Sequence, residues 1–344
     1  MSHTMDERIS AAGSSELRDA LAHILSEHFG RPCGVVRLDR RPFANTSSYA
    51  IEDLEVELDN GTLLPMLFKD LSRNGLVASA RSAKPAFLHN PLREIETYQA
   101  ILTPAQLGTA VCYGALVQPD RGRYWLFLEK VPGIELYQEG DVAVWQEVAA
   151  WLARLHARFA ASANQLLRAA PLLVYERNYY REWLSRAQAI VGARRGSGES
   201  ATRALANLTA VYDRIIDPLL ALPATLLHGE FYAANVLVEK RANGVRVCPV
   251  DWEMAAVGPG LMDLAALTSG KWSEVCKESM AQAYHAAQAG ISTLSWDEML
   301  VALDGCRLQQ AIQWLGWSST WSPPADQTQD WLGEALRLAA KLIR

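Results

Sequence analysis

The sequence predicts an α+β protein of two lobes, a small β-rich one followed by a larger, mainly helical one. Three observations carry this. Strand-like runs with turn signals crowd the part of the chain before Val131, and long amphipathic helical patterns fill most of the chain after Gly133. Within that helical part, a single strand-rich island over Leu226 to Asp251 interrupts the helices. With 344 residues the chain can build two domains, each with its own core. The stretch Val131 to Ile134, which contains Pro132-Gly133, is the expected boundary, giving lobes over 6–131 and 132–344.

In chain order, Leu17, Leu21 and Ile24/Leu25 share one face of a helix over Ser15 to His28, which Gly30 and Pro32 end. Strands are expected over Val35 to Leu38, Ser48 to Leu58 and Leu63 to Lys69. The last two are joined through Asp59-Asn60-Gly61, because Asn-Gly between β-rich runs is a strong hairpin signal. Asn90-Pro91 opens a further helix. Val111 to Val117 and Tyr124 to Leu128 form strands around Asp120-Arg121-Gly122. Helices are expected over Val142 to Phe159, Tyr175 to Ala193 and Ala201 to Leu220, with several more from Leu261 onward. The segment Ala193 to Ser200, ARRGSGES, reads as a surface loop.

Composition narrows the function classes. Half of the residues are hydrophobic and 21% are charged, as in an ordinary globular protein. No apolar run approaches the ~18 to 20 residues that span a bilayer, and no signal peptide is recognisable, so a cytoplasmic protein without a membrane partner is expected. Cys33, Cys112, Cys248, Cys276 and Cys306 lack any C-x-x-C spacing, which argues against a zinc site or a disulfide framework and for buried thiols. A net charge of −5 lacks the basic footprint of a nucleic-acid binder and favours a neutral or cationic small partner.

The chemistry concentrates in His228-Gly229-Glu230-Phe231-Tyr232-Ala233-Ala234-Asn235, followed by two β-runs and then Asp251-Trp252-Glu253. The runs Val236 to Arg241 and Val245 to Val250 flank Asn243-Gly244, so a tight hairpin is expected, with Asp251 opposite Val236. That places the Asn235 amide oxygen and the Asp251 carboxylate at one end of the hairpin. Mg²⁺ takes oxygen ligands and uses one or two protein groups together with substrate phosphates. Glu230, in the loop entering the hairpin, could receive a proton from an attacking hydroxyl. A metal pair and a base on one short segment describe phosphoryl transfer.

The pattern H-G-E-x-x-x-x-N followed by D-W-E resembles the catalytic segment of the aminoglycoside phosphotransferase and choline kinase superfamily. Those enzymes are distant relatives of protein kinases, whose loop carries His-Arg-Asp and an Asn, then Asp-Phe-Gly. Gly258-Pro259-Gly260-Leu261-Met262-Asp263-Leu264-Ala265 is similar to the family's G-x-x-x-x-D-L-A segment. Leu152 to His156 and Leu128 to Gly133 match as well, so the resemblance runs from about Val35 to Leu267. It implies a two-lobed protein-kinase-like fold and transfer of a phosphate from ATP, with Mg²⁺, to a hydroxyl of a small molecule. It assigns Asn235 and Asp251 as metal ligands, Glu230 as the catalytic base and Asp263 as a brace for the loop. The family usually has Asp where this chain has Glu230, and the extra methylene moves the carboxylate by over ~1 Å, which can cost ~10²-fold in rate. A nucleotide-binding pseudokinase is the competing reading.

A kinase-like fold places its phosphate-binding lysine at the end of the third strand, where Lys69 closes Leu63 to Phe68. Its partner carboxylate should come from the next helix. Glu94 is preferred over Glu96, because it shares a face with Tyr98 and Ile101. Over the phosphates, Arg40 to Ala50 contains no glycine, and neither G-x-G-x-x-G nor a P-loop motif occurs in the chain. Thr46, Ser47 and Ser48 would supply donors there, and the backbone of Glu129 and Val131 would meet the adenine. His228 is expected to orient the catalytic loop, and His156 to pack in the core. Trp272, Trp296, Trp314, Trp317, Trp321 and Trp331 lie after Leu261, where the superfamily builds its acceptor pocket. An aromatic wall there competes with ordinary core packing.

Overall fold

The computed structural model describes residues 12–43, 48–193, 199–288, 294–317 and 329–343. The chain divides into two compact units. The first runs up to Lys84 and resumes over His89–Pro132, and the second comprises Pro85–Leu88 and everything from Gly133.

The first unit is an antiparallel sheet with one long helix on it. The strands β1 (Val35–Pro42), β2 (Ile51–Leu58), β3 (Leu63–Asp70), β4 (Cys112–Gln118) and β5 (Arg123–Glu129) lie in the order β1-β2-β3-β5-β4. The helix Ser14–Phe29 ends on Gly30, whose φ of 64° is the left-handed turn that a residue without Cβ adopts freely. Its face of Leu17, Leu21, Ile24 and Leu25 packs with Leu54, Val56, Met66, Phe68, Trp125 and Phe127. At Gly114 the helix comes so close that a Cβ would lie 2.6 Å from Cγ2 of Ile24. Strand alternation then decides where Lys69 goes. Met66 and Phe68 enter the core against the helix, so Lys69 belongs to the opposite face of β3.

The start of β2 departs from the expectation, which had it begin at Ser48. Instead Tyr49 makes an isolated bridge to Leu76, and Val77 N–H donates to the Ser48 carbonyl at 3.0 Å. The chain after β3 occupies that edge, and the strand opens only at Ile51.

In the second unit, the helix Val142–Phe159 is capped by Asp141, whose side chain accepts from Ala143 N–H at 2.9 Å. Two small sheets accompany it. Strands β6 (Ile134–Glu135), β9 (Val236–Arg241) and β10 (Gly244–Pro249) form one, with β9 central. Strands β7 (Leu173–Val174), β8 (Ala224–Leu227) and β11 (Ala256–Pro259) form the other, with β11 central. Helices Arg177–Ala193, Glu199–Leu220, Leu261–Leu267, Glu274–Ala287, Trp296–Gly316 and Trp331–Leu342 belong to the same unit, as does the short helix Ala163–Ala169. The expected loop between the first two of these falls largely outside the described residues. Pro85–Leu88 joins this unit through Phe87, whose ring meets Trp183 edge-on at 5.4 Å.

The β9–β10 hairpin forms in a register two residues away from the expected one. Val236 faces Pro249 rather than Asp251, and Arg241 faces Gly244. The turn is therefore Ala242-Asn243, not Asn243-Gly244. Neither residue takes positive φ, and Gly244 absorbs the twist at φ 128°. The shift is even, so every side chain keeps its face. Four of the five cysteines are buried, but Cys276, in the first turn of helix Glu274–Ala287, is half-buried. Burial pushes the Cys112 thiol up to about 12, which makes it unreactive at neutral pH.

Candidate active site

The loop from His228 to Asn235 hangs between β8 and β9, and its shape is fixed from below. Asp263, buried in the first turn of helix Leu261–Leu267, accepts N–H bonds from His228 at 2.7 Å and Gly229 at 2.9 Å, one on each carboxylate oxygen. His156 Nε2 lies 3.3 Å from the same carboxylate, and His156 Nδ1 lies 2.8 Å from the Tyr284 hydroxyl. A carboxylate only accepts, so Nε2 carries the hydrogen and Nδ1 accepts from Tyr284. His156 is thus a packed core histidine with both ring nitrogens engaged, and through Asp263 it steadies the loop. Nothing local in the sequence pairs Tyr284 with this network.

Gly229 sits at φ 86°, where a Cβ would lie 2.2 Å from the Met254 carbonyl oxygen. Gly229→Ala must therefore displace backbone. We expect it to lower unfolding free energy by at least the ~1–3 kcal/mol of a strained residue, measurable by urea denaturation. The catalytic loop should move with it, and activity should fall further than stability.

His228 also has one consistent tautomer. Its Nε2–H donates to the Val250 carbonyl at 2.8 Å, and Nδ1 accepts from Glu230 N–H at 3.3 Å. The ring therefore ties the residue before Asp251 to the backbone of Glu230, which makes His228 a positioning group. Asn235 N–H bonds Tyr232, and Val250 N–H donates to the Asn235 carbonyl at 2.9 Å, closing the end of the hairpin. Asn235 Nδ2 donates to the Glu230 carbonyl at 3.0 Å, which leaves Oδ1 as the end of the amide that can bind a cation. Asp251 adopts φ 66°, one of two described non-glycine residues at positive φ. Such backbone strain is tolerated where the surrounding structure holds it, often at functional sites.

These donors fit Mg²⁺. The set is one amide oxygen and one carboxylate, both hard, on backbone held by the hairpin end. Among the described residues no cluster of three His, Cys, Asp or Glu could hold a metal alone. A site with two protein ligands leaves the remaining positions to phosphate and water.

In the first unit, Lys69 and Glu94 form a buried ion pair, with Nζ 2.8 and 2.7 Å from the two carboxylate oxygens. Glu94 lies on the helix Pro91–Glu96, opened by Asn90, whose side chain accepts from Leu92 N–H at 3.0 Å. Glu96 is half-buried, with its carboxyl pushed up by burial, and Lys69 pairs with Glu94 instead. Isolated ions lose much solvation on burial, so such a pair adds little to stability. Glu129 N–H donates to the Val111 carbonyl at 2.8 Å, and its side chain accepts from Val111 N–H at 3.0 Å. The side chain is thus turned toward Val111 at the edge of β4. Val131 is buried after β5. Ser48 is half-buried, while Thr46 and Ser47 lie outside the described residues.

Among the tryptophans, Trp272 packs on Trp145 at 4.4 Å and Trp296 on His285 at 5.6 Å. Trp314 instead adjoins the His228–Asn235 loop. Its ring is 5.9 Å from Tyr232 and stacks on Trp331 at 5.8 Å, and Trp317 stacks on Trp183 at 5.8 Å. Trp314, Trp317 and Trp331 are all half-buried, so the wall keeps open surface. Trp321 lies outside the described residues.

A five-stranded unit with a Lys–Glu pair and a helical unit with a braced H-G-E-x-x-x-x-N loop and Asp251 define a protein-kinase-like fold. The profile of the phosphotransferase enzyme family matches residues 80–300, and the chain belongs to that family. No curated protein sequence matches the chain. Solved structures share the fold at low identity. A microcompartment-associated aminopropanol kinase is 14% identical with a TM-score of 0.55, covering 88% of this chain and 90% of its own. The Plasmodium vivax ethanolamine kinase is 9% identical with a TM-score of 0.58, covering 98% and 90%. The GDP complex of aminoglycoside 2'-phosphotransferase-IIIa is 14% identical with a TM-score of 0.55, covering 94% and 97%.

Proposed function

We propose that this protein transfers the γ-phosphate of ATP to a hydroxyl group of a small molecule. The observation that carries the reading is the end of one hairpin. Glu230, Asn235 and Asp251 are tied there by His228 and by the Asn235–Glu230 bond, above the Asp263 brace. Glu230 would take the proton of the acceptor hydroxyl as its oxygen bonds to the γ-phosphorus. The bond to the β,γ-bridging oxygen breaks, and ADP leaves. Asn235 and Asp251 would hold Mg²⁺, which when bound neutralises charge on the phosphates. Lys69, oriented by Glu94, would contact the α- and β-phosphates. The backbone of Glu129 and Val131 would face the adenine, with Thr46, Ser47 and Ser48 over the phosphates.

The test is transfer from radiolabelled ATP, with and without Mg²⁺, across amino-alcohols, aminoglycosides, sugars and sugar acids. The first two classes enter because proteins of the same fold carry them in their names. Mg²⁺-dependent labelling of one class is the expected result. Glu at position 230 favours the second reading, a nucleotide-binding pseudokinase, and complete absence of transfer with retained ATP binding would select it.

Lys69→Ala should raise KM for ATP by about 10- to 100-fold, the worth of a charged hydrogen bond, with little effect on acceptor KM. Because the change strands Glu94 as a buried carboxylate, the same assay on Lys69→Ala/Glu94→Gln separates lost contact from lost fold. If acceptor KM rises instead, Lys69 serves the other substrate.

A further inference from the structure

The second unit contains a cavity of about 420 Å³ that the proposed chemistry does not use. Its walls come from Thr268 and Ser269 after helix Leu261–Leu267, and from helices Glu274–Ala287, Trp296–Gly316 and Trp331–Leu342. Each of these three helices contributes one cation: Lys277, Arg307 and Arg337.

Their ion partners separate them. Glu334 holds Arg337 through two bonds of 2.9 and 2.7 Å and lines the same cavity, so that pair is neutral there. The other lining carboxylate, Asp330, caps helix Trp331–Leu342 by accepting from Gly333 N–H at 2.9 Å, and the positive helix end offsets its charge. Lys277 and Arg307 pair with carboxylates outside the lining: Glu274 at 2.9 Å and Asp304 at 3.2 Å. Glu274 is 85% exposed, so water screens its hold on Lys277. Asp304 is shared between Arg307 and Lys341. The cavity therefore keeps two cationic heads whose side chains are only 22% and 25% exposed.

The cavity adjoins the catalytic loop. Gln310, in its wall, donates through Nε2 to the Tyr232 hydroxyl at 3.2 Å, and Tyr232 is two residues beyond Glu230. Trp331, also in the wall, stacks on Trp314, which meets Tyr232. A polar group bound here would lie in the same unit as Glu230, on the Tyr232 side of its loop.

We propose that Arg307 and Lys277 bind an anionic group of the acceptor, a carboxylate or a phosphate ester, and that the substrate is a hydroxylated acid. The inference rests on the phosphotransferase reading, which makes the bound molecule an acceptor. A guanidinium fork with a nearby ammonium matches the oxygens of either anion. The volume falls in the ~300–1,000 Å³ range of small-molecule pockets. The chain as a whole is net negative, whereas three cations and two carboxylates line this cavity.

The test is calorimetric titration without nucleotide of D-glycerate, D-gluconate, glycerol 3-phosphate and inorganic phosphate, beside glycerol, ethanolamine and choline. An acid should bind at least about tenfold more tightly than its neutral or cationic counterpart. Glycerate against glycerol 3-phosphate distinguishes carboxylate from phosphate. Lys277→Gln and Arg307→Gln should each weaken binding by about 10- to 100-fold, the span for a charged hydrogen bond. Lys277→Gln leaves its partner Glu274, 85% exposed, to water, and in Arg307→Gln Asp304 retains Lys341, so both variants should stay folded with a Tm close to wild type. The proposal is overturned if no anion binds, if both variants bind as wild type does, or if ethanolamine or choline binds as well as the acids. Acid binding without any transfer from ATP would instead overturn the phosphotransferase reading and leave the anion site standing.

Discussion

Asp251→Asn is expected to abolish phosphotransfer while leaving the fold in place. Asparagine tolerates the left-handed region that Asp251 occupies at φ 66°, so the backbone after β10 has no reason to move. What disappears is the full negative charge that would face the cation of the proposed site. Losing an outer partner of a metal ligand costs ~10- to 100-fold in metal affinity, and losing the charged ligand itself should cost more. Calorimetric titration of ATP with and without Mg²⁺ measures this directly. The variant should bind nucleotide nearly as wild type does without Mg²⁺ and show no gain when Mg²⁺ is added. An unchanged Mg²⁺-dependent affinity would remove Asp251 from the metal site.

The second large effect concerns Glu230. Glu230→Gln keeps the volume and removes the basic lone pair, so kcat should fall by about 10²- to 10⁴-fold with little change in nucleotide affinity. The change leaves the backbone bonds of this residue in place: its N–H to His228, and its carbonyl to Asn235 and Tyr232. Glu230→Asp retracts the carboxylate by over ~1 Å toward the position the family usually has. In a loose transition state, where positioning dominates, it should hold or raise the rate if the longer side chain is the misfit. A wild-type enzyme that transfers phosphate and a Glu230→Gln variant that does so equally well would refute the base assignment. A silent wild type with intact ATP binding would make the protein a pseudokinase.

Much of the molecule is legible along the chain because its signals are local. The helix Val142–Phe159 has an apolar face at helical spacing and an aspartate cap, and both act over a few residues. The hairpin between Asn235 and Asp251 is readable because two β-runs flank a short polar turn, and the candidate chemistry sits on that one continuous segment. Its register differs from the expected one by two residues, since Asn-Gly suggests a turn with positive φ at both positions, whereas Gly244 alone takes it.

Periodicity and turn chemistry are properties of neighbours, so chain order is enough to dictate the two-unit α+β organisation, the strand that delivers Lys69 and the loop that carries Glu230. It offers two glutamates on one short helix as the partner of Lys69 and prefers Glu94, which shares a face with Tyr98 and Ile101. Packing selects Glu94, by setting the rotation of that helix against a sheet distant in the chain. The same holds for the brace under the loop. His156 is separated from Asp263 by 107 residues and from Tyr284 by 128, and their hydrogen bonds exist only because three helices meet. The cavity of Arg307 and Lys277 is likewise invisible in sequence. Whether a surface cation faces a void or water depends on which helix faces pack together, and that is a property of the folded unit alone.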